Sequence, residues 1–131
     1  MMTLATFFLR LKPMAALCVA TLFMGWPTLC PAAEVELVMF ERPFCEWCEA
    51  WNEEVGDAYA ITAEGKFAPL RRVQLNEAHP ADLEGITWPR FTPTFVMMVD
   101  GREVGRIRGY PGEEFFWGLL GELIEKARTE N

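Results

Sequence analysis

The sequence predicts a single α/β domain built on a mixed central β-sheet flanked by helices, one layer on each face. Three observations lead there. From Glu34 onward the apolar residues fall in the order strand, helix, strand, hairpin, helix. A strand–helix–strand unit makes parallel neighbours, and a following hairpin adds antiparallel ones. The composition suits one core: 131 residues, 51% apolar and 24% charged, with ten Gly and nine Pro spread along the chain. That is globular and too short for two full domains, and no internal repeat or low-complexity linker divides it.

Residues 1–32 read as an export signal. Arg10 and Lys12 supply a positive start, Met14 to Trp26 is uncharged and apolar, Pro27 breaks it, and Ala32 and Ala33 are small. Cleavage after Ala32 leaves a domain of residues 33–131. An uncleaved anchor from Met14 to about Cys30 is the competing reading, and it is short for a membrane span. All nineteen acidic residues lie at Glu34 or later, against ten basic ones there. So acidic a domain is a poor ligand for phosphate backbones, and nucleic acid is excluded as a partner.

Val35 to Phe40 is an apolar run bounded by a Pro-containing turn at Glu41 to Phe44, which reads as a buried strand. Cys45 to about Val55 is helical, with Cys48, Trp51 and Val55 on one face, and Gly56 interrupts it. Asp57 to Glu64 forms a second helical stretch that Gly65 ends. Leu70 to Leu75 is the second strand. Asn76 to Arg90 is loop-rich, with a helical turn at Ala81 to Glu84. Thr94 to Val99 is the most apolar strand. Asp100-Gly101 signals a two-residue hairpin, and Arg102 to Arg108 returns with a bulge at Gly105. Glu113 to about Arg128 closes the domain as an amphipathic helix with the stripe Phe116, Leu119, Leu120, Leu123 and Ala127. Its acidic residues stand at the N-terminal end and its basic ones at the other.

Once Cys18 and Cys30 leave with the signal, only Cys45 and Cys48 remain. Two cysteines three apart close too small a loop to staple a fold, so they serve chemistry or metal. Cys45-Glu46-Trp47-Cys48 sits where a strand ends and a helix begins. Unpaired N–H groups and the positive helix end there favour a thiolate. Cys45 at the mouth is the candidate attacking group, and Cys48, one turn further in, resolves the mixed disulfide. Structural zinc needs two more ligands, and the domain offers only His79, which reads as a solvated loop residue. Thr92-Pro93 stands directly before the central strand, where a trans proline sits awkwardly, and a cis bond is expected.

Strand, Cys-x-x-Cys, helix, Thr92-Pro93-Thr94, Asp-Gly hairpin, Gly109 and closing helix all fall in the order of the thioredoxins, which residues 34–128 resemble. Cys-x-Trp-Cys with Gly109 to Trp117 (Gly-Tyr-Pro-Gly-x-x-x-Phe-Trp) is further similar to the SoxS-type periplasmic thioredoxins of bacterial sulfur-oxidation systems. The resemblance implies a thioredoxin fold with Cys45 as exposed nucleophile, Cys48 as resolving thiol and Pro93 as cis-proline. It implies a substrate-docking surface at Trp47, Thr92, Pro93, Arg108, Gly109 and Tyr110. It also implies no cofactor beyond the dithiol, no metal, a monomeric chain and a periplasmic location. The expected activity is reduction of protein disulfides or mixed disulfides, with a sulfur-oxidation carrier protein as substrate. A compartment without soluble pyridine nucleotide makes a membrane thiol-electron transporter the reductant. The alternatives are an oxidase or isomerase, or a Cu(I)-binding module using both thiolates.

Four positions depart from the family. Phe44 stands where a tryptophan is usual, Glu46-Trp47 replaces Gly-Pro, and Met39 occupies the place of a buried aspartate. Glu46 is expected to face solvent, and as a nearby carboxylate it opposes the helix dipole. Trp47 is a candidate partner contact and Trp51 a core residue, while Trp88 and Phe91 flank the proline. Arg90, Arg106 and Arg108 form a local basic group, read as a solvated strand face or as steering for an acidic partner. Glu49, Glu53 and Glu54 read as the wet face of the first helix.

Overall fold

The structure, a computed structural model, describes residues 34–130. The predicted export signal, residues 1–32, lies outside them. Four strands form the sheet: β1 (Val35–Glu41), β2 (Leu70–Gln74), β3 (Thr94–Val99) and β4 (Arg102–Arg108), in the order β2-β1-β3-β4. β1 pairs β2 in parallel and β3 antiparallel, and β3 pairs β4 antiparallel. The mixed sheet is as the element order predicts.

Side chains alternate across a strand, and here both sides are buried. Leu37, Met39, Phe95, Met97 and Val99 face one way, Val38, Phe40, Val96 and Met98 the other. The flanking helices gather on the first side. The second, where the element order predicts a covering helix, lies under the 76–90 loop through Leu83, Ile86 and Trp88. A single 3-10 turn, Ala81–Leu83, is the only helical piece of that loop.

The helix after β1 does not stop at Gly56. α1 (Glu46–Trp51) runs through a π-helical turn at Asn52–Gly56 into α2 (Asp57–Tyr59), and Gly56 keeps right-handed helical angles. The widened turn absorbs the glycine. Gly65 likewise ends nothing. It lies inside α3 (Ala63–Phe67), whose N-cap Thr62 accepts from the Gly65 N–H at 3.0 Å and donates to the Tyr59 carbonyl at 2.7 Å. A β-carbon at Gly65 would stand 1.9 Å from the Tyr59 carbonyl oxygen. Close backbone approach, not chain termination, is why glycine is there.

At the hairpin, Asp100 and Gly101 both take positive φ, 50° and 73°, the pattern that matches strand twist in a two-residue turn. Met97 lies opposite Gly105 but Met98 opposite Glu103, so Val104 is the extra residue of a bulge. A β-carbon at Gly105 would meet Leu123 at 2.6 Å, so the closing helix α4 (Glu113–Glu130) packs over it. The buried stripe of α4 is Phe116, Leu120, Leu123, Ile124 and Ala127. Leu119, predicted to be in it, is exposed. At about 100° per residue Leu119 and Ile124 border the other four on opposite sides, and the core covers the Ile124 border.

Candidate active site

The site lies at the edge where β1 ends, β3 begins and β4 ends. β1 hands the chain to Arg42-Pro43-Phe44, and Cys45 then caps α1. Its sulfur accepts from the Cys48 N–H at 3.2 Å, while its carbonyl accepts from the Cys48 and Glu49 N–H groups at 3.0 Å. Cys45 and Cys48 are joined as a disulfide with their α-carbons 5.2 Å apart. Cys45 is 9% exposed and Cys48 3%, so the first is the more exposed residue, though itself largely covered. Phe44 before it is fully exposed and holds φ at +60°, left-handed backbone that a bulky residue rarely adopts. Trp47 is exposed as well. Two aromatic rings thus flank the disulfide in water.

The inner side of α1 is locked by aromatics. Trp51 is fully buried, with ring centroids 5.3 Å from Phe95, 5.8 Å from Phe116 and 6.1 Å from Tyr59. Arg72 lies over its indole at 5.6 Å and donates to Asn52 at 2.6 Å and to Glu41 at 2.9 Å. These contacts fix the helix that carries both sulfurs. Met39 is fully buried in the same cluster as the cysteines.

The facing wall comes from the proline loop. Thr92–Pro93 is cis, and Pro93 is buried. The Pro93 carbonyl accepts from the Gly109 N–H at 2.8 Å, and the Thr94 hydroxyl donates to the Phe91 carbonyl at 2.8 Å. Gly109 has φ +81°, which glycine reaches without strain. So Thr92, Pro93, Arg108, Gly109 and Tyr110 form one joined wall at the edge that carries Cys45. Of the predicted docking residues, Trp47 and Arg108 are exposed, Thr92 and Gly109 half-buried, and Pro93 and Tyr110 buried.

Tyr110 bridges the two walls in a way the sequence did not reveal. Its hydroxyl donates to the Glu54 carboxylate in the π-helical turn, and its ring packs into the cluster that holds both cysteines. Glu54 is therefore more than a wet helix face. Burial, then the hydrogen bond to Glu54 and the charges of Glu54 and Glu113, push the Tyr110 phenol upward. No local pattern links residues 56 apart, so only the folded chain shows the pair.

The basic group also divides. Arg106 is no solvated face: its guanidinium pairs with Glu103 and donates to the Thr87 carbonyl at 2.9 Å, with the side chain 11% exposed. Arg42, missed in sequence, donates to the Arg90 carbonyl at 3.3 Å. Arg90 and Arg108 are exposed and line a cleft of about 160 Å³ with Trp88, Phe91 and Thr94. Trp88 is anchored between Phe40, 5.0 Å away edge-on, and His79, stacked at 3.6 Å. His79 is exposed yet has this packing role. Among the described residues no group of three or more His, Cys, Asp or Glu is placed to hold a metal ion. No helix of the described chain is long and apolar enough to cross a membrane.

No protein-family model matches the chain, and no curated protein does. Among solved structures, the chain is similar to the periplasmic thioredoxin SoxS from Paracoccus pantotrophus in its reduced form. The identity is 44% and the TM-score 0.65, over 72% of this chain and 99% of that one. It is also similar to the thioredoxin Mala s 13 of Malassezia sympodialis, at 21% identity and a TM-score of 0.54, over 68% of this chain and 76% of that one. That second likeness speaks to the fold alone. A sheet edge bearing a disulfide-bonded Cys-x-x-Cys, joined to a relative of this identity over nearly its whole length, makes the chain a thiol–disulfide oxidoreductase that belongs to the thioredoxin family.

Proposed function

We propose that the chain is an exported reductase of protein disulfides or mixed disulfides in the periplasm, with residues 1–32 as its signal. Cys45 is the nucleophile and Cys48 the resolving thiol. The single observation that carries this is the position of the Cys45 sulfur. Cys45 is the more exposed residue of the two and stands at the start of a helical run, and its sulfur accepts a hydrogen bond from the Cys48 N–H. In the reduced protein the same N–H and the helix end favour a thiolate there.

The Cys45 thiolate attacks a substrate disulfide, forming a mixed disulfide and releasing one substrate thiol. The Cys48 thiolate then attacks the Cys45 sulfur, forming the Cys45–Cys48 disulfide and releasing the second thiol. Two electrons pass from the protein to the substrate. A membrane thiol-electron transporter restores the dithiol by the reverse exchange. Trp47, Thr92, Pro93, Arg108, Gly109 and Tyr110 dock the substrate, and the monomeric chain needs no cofactor or metal. A carrier protein of sulfur oxidation, which the resemblance of the sequence to SoxS-type thioredoxins implies, is that substrate.

The test is Cys48→Ser in the cell of origin. A covalent partner held on Cys45, released by added thiol, supports the reading, and recovery of no mixed disulfide overturns it. A measured reduction potential decides direction: a value near that of dedicated disulfide-forming enzymes, about −120 mV, reverses it to an oxidase.

A further inference from the structure

We propose that substrates dock with a fixed charge polarity, an acidic flank of the reactive cysteine lying against Arg90 and Arg108 and away from α1. This rests on the reading of Cys45 as the attacking thiol and narrows the substrate class of that site. The chain is acidic overall, with net charge −7. Yet the wall built from the proline loop and the end of β4 carries exposed Arg90 and Arg108 around the cleft beside Trp88 and Phe91. Arg42 reaches the same place through its hydrogen bond to the Arg90 carbonyl. No ion pair occupies Arg42, Arg90 or Arg108 among the described residues. Glu103, the acid nearest in the strand, is already taken by Arg106.

On α1 the sign is the opposite. Glu46 and Glu49 are exposed in the first turn of α1, next to Cys45 and Cys48. A polypeptide that reaches from α1 to the proline-loop wall therefore meets anions at one and cations at the other. Charge arrangement of this kind sets orientation and rejects the reversed pose, because like charges brought together repel. An acidic stretch before or after the substrate cysteine would suit one wall and clash with the other. The aromatic rings of Trp88 and Phe91 supply apolar surface in the same cleft, so the preferred segment is acidic with an adjoining apolar or aromatic residue.

The test uses the reduced full-length protein and three synthetic peptides, each with one cysteine in mixed disulfide with the same neutral thiol. Two peptides are isomers of equal composition with their acidic block before or after the cysteine, and the third is neutral. Equal composition removes any effect of net charge. One turnover converts the protein dithiol to the Cys45–Cys48 disulfide and releases the peptide thiol and the neutral thiol.

At about 10 mM salt, where the screening length is roughly 30 Å, one isomer should react about tenfold faster than the other. At about 1 M salt, with a screening length near 3 Å, the two rates should converge. Charge reversal by Arg90→Glu with Arg108→Glu, both on exposed side chains, should erase or invert the isomer ratio. Equal rates for the isomers at low salt, with the neutral peptide reduced, overturn the polarity and leave the reductase reading standing. An isomer ratio unchanged by the double variant also overturns it. Reduction of none of the peptides removes the reductase reading and this one with it.

Discussion

One side of the sheet lies under α1 to α4 and is filled by Trp51, Tyr59, Phe95 and Phe116 in mutual contact. The other lies under the 76–90 loop and is filled by fewer and smaller groups, Leu83 and Val73 against Phe40, with Trp88 at the margin. The two sulfurs belong to the first side and the cleft of Arg90, Trp88 and Phe91 to the second. Placing the reacting atoms on a close-packed helix holds their geometry, and placing recognition on a loop lets it vary without disturbing the chemistry. Division of labour in this site follows the division of the core.

Five changes break or sharpen that contrast, beginning with the strongest. Cys45→Ser should reduce turnover of a disulfide substrate such as insulin to background while leaving the circular dichroism spectrum intact. Leu120→Ala on α4 should cost about 4–5 kcal/mol and Leu83→Ala about 2–3 kcal/mol, because a loop collapses around a void more readily than packed helices do. Urea midpoints with unchanged slopes would measure both. Equal losses would erase the claimed difference between the sides.

Tyr110→Phe should cost about 1 kcal/mol through loss of its hydrogen bond to Glu54. It should also blunt the fall in stability at alkaline pH. The folded Tyr110 phenol holds its proton above the ordinary value of 10.0, as does that of Tyr59, chiefly through burial. Above pH 10.0 the unfolded chain releases those protons first, so stability declines as pH rises further. Thermal midpoints between pH 9 and 11 would show a shallower decline in the variant. The smallest effect belongs to Leu119→Gln, expected within about 0.5 kcal/mol by the same urea measurement, since Leu119 lies outside the buried stripe of α4.

The strands, the Asp100-Gly101 turn and the cysteine pair were legible because each rests on a local rule: alternation, a positive-φ dipeptide, a spacing. Gly56 and Gly65 misled for the same reason. Glycine after an apolar run reads as a stop, but a π-helical turn carries Gly56 onward, and Gly65 is demanded by the Tyr59 carbonyl. The Glu103–Arg106 pair shows the limit well. Residues three apart point to opposite sides of a regular strand, and only the extra Val104 of the bulge brings this pair together. Glu54 with Tyr110 and Arg42 with Arg90 join residues far apart in sequence, so no window along the chain contains either pair.

The hairpin at Asp100–Gly101 has a practical corollary. Asp100 clasps Glu34 twice, its carboxylate accepting from the Glu34 N–H and its own N–H donating to the Glu34 carbonyl, each at 2.9 Å. Seven residues of β1, at about 3.3 Å each, then separate that clasp from the reactive pole by roughly 20 Å. A handle fused ahead of Glu34 to fix the molecule on a resin or an electrode would grip it by its inert end, leaving the sulfur-bearing tip free to meet whatever flows past.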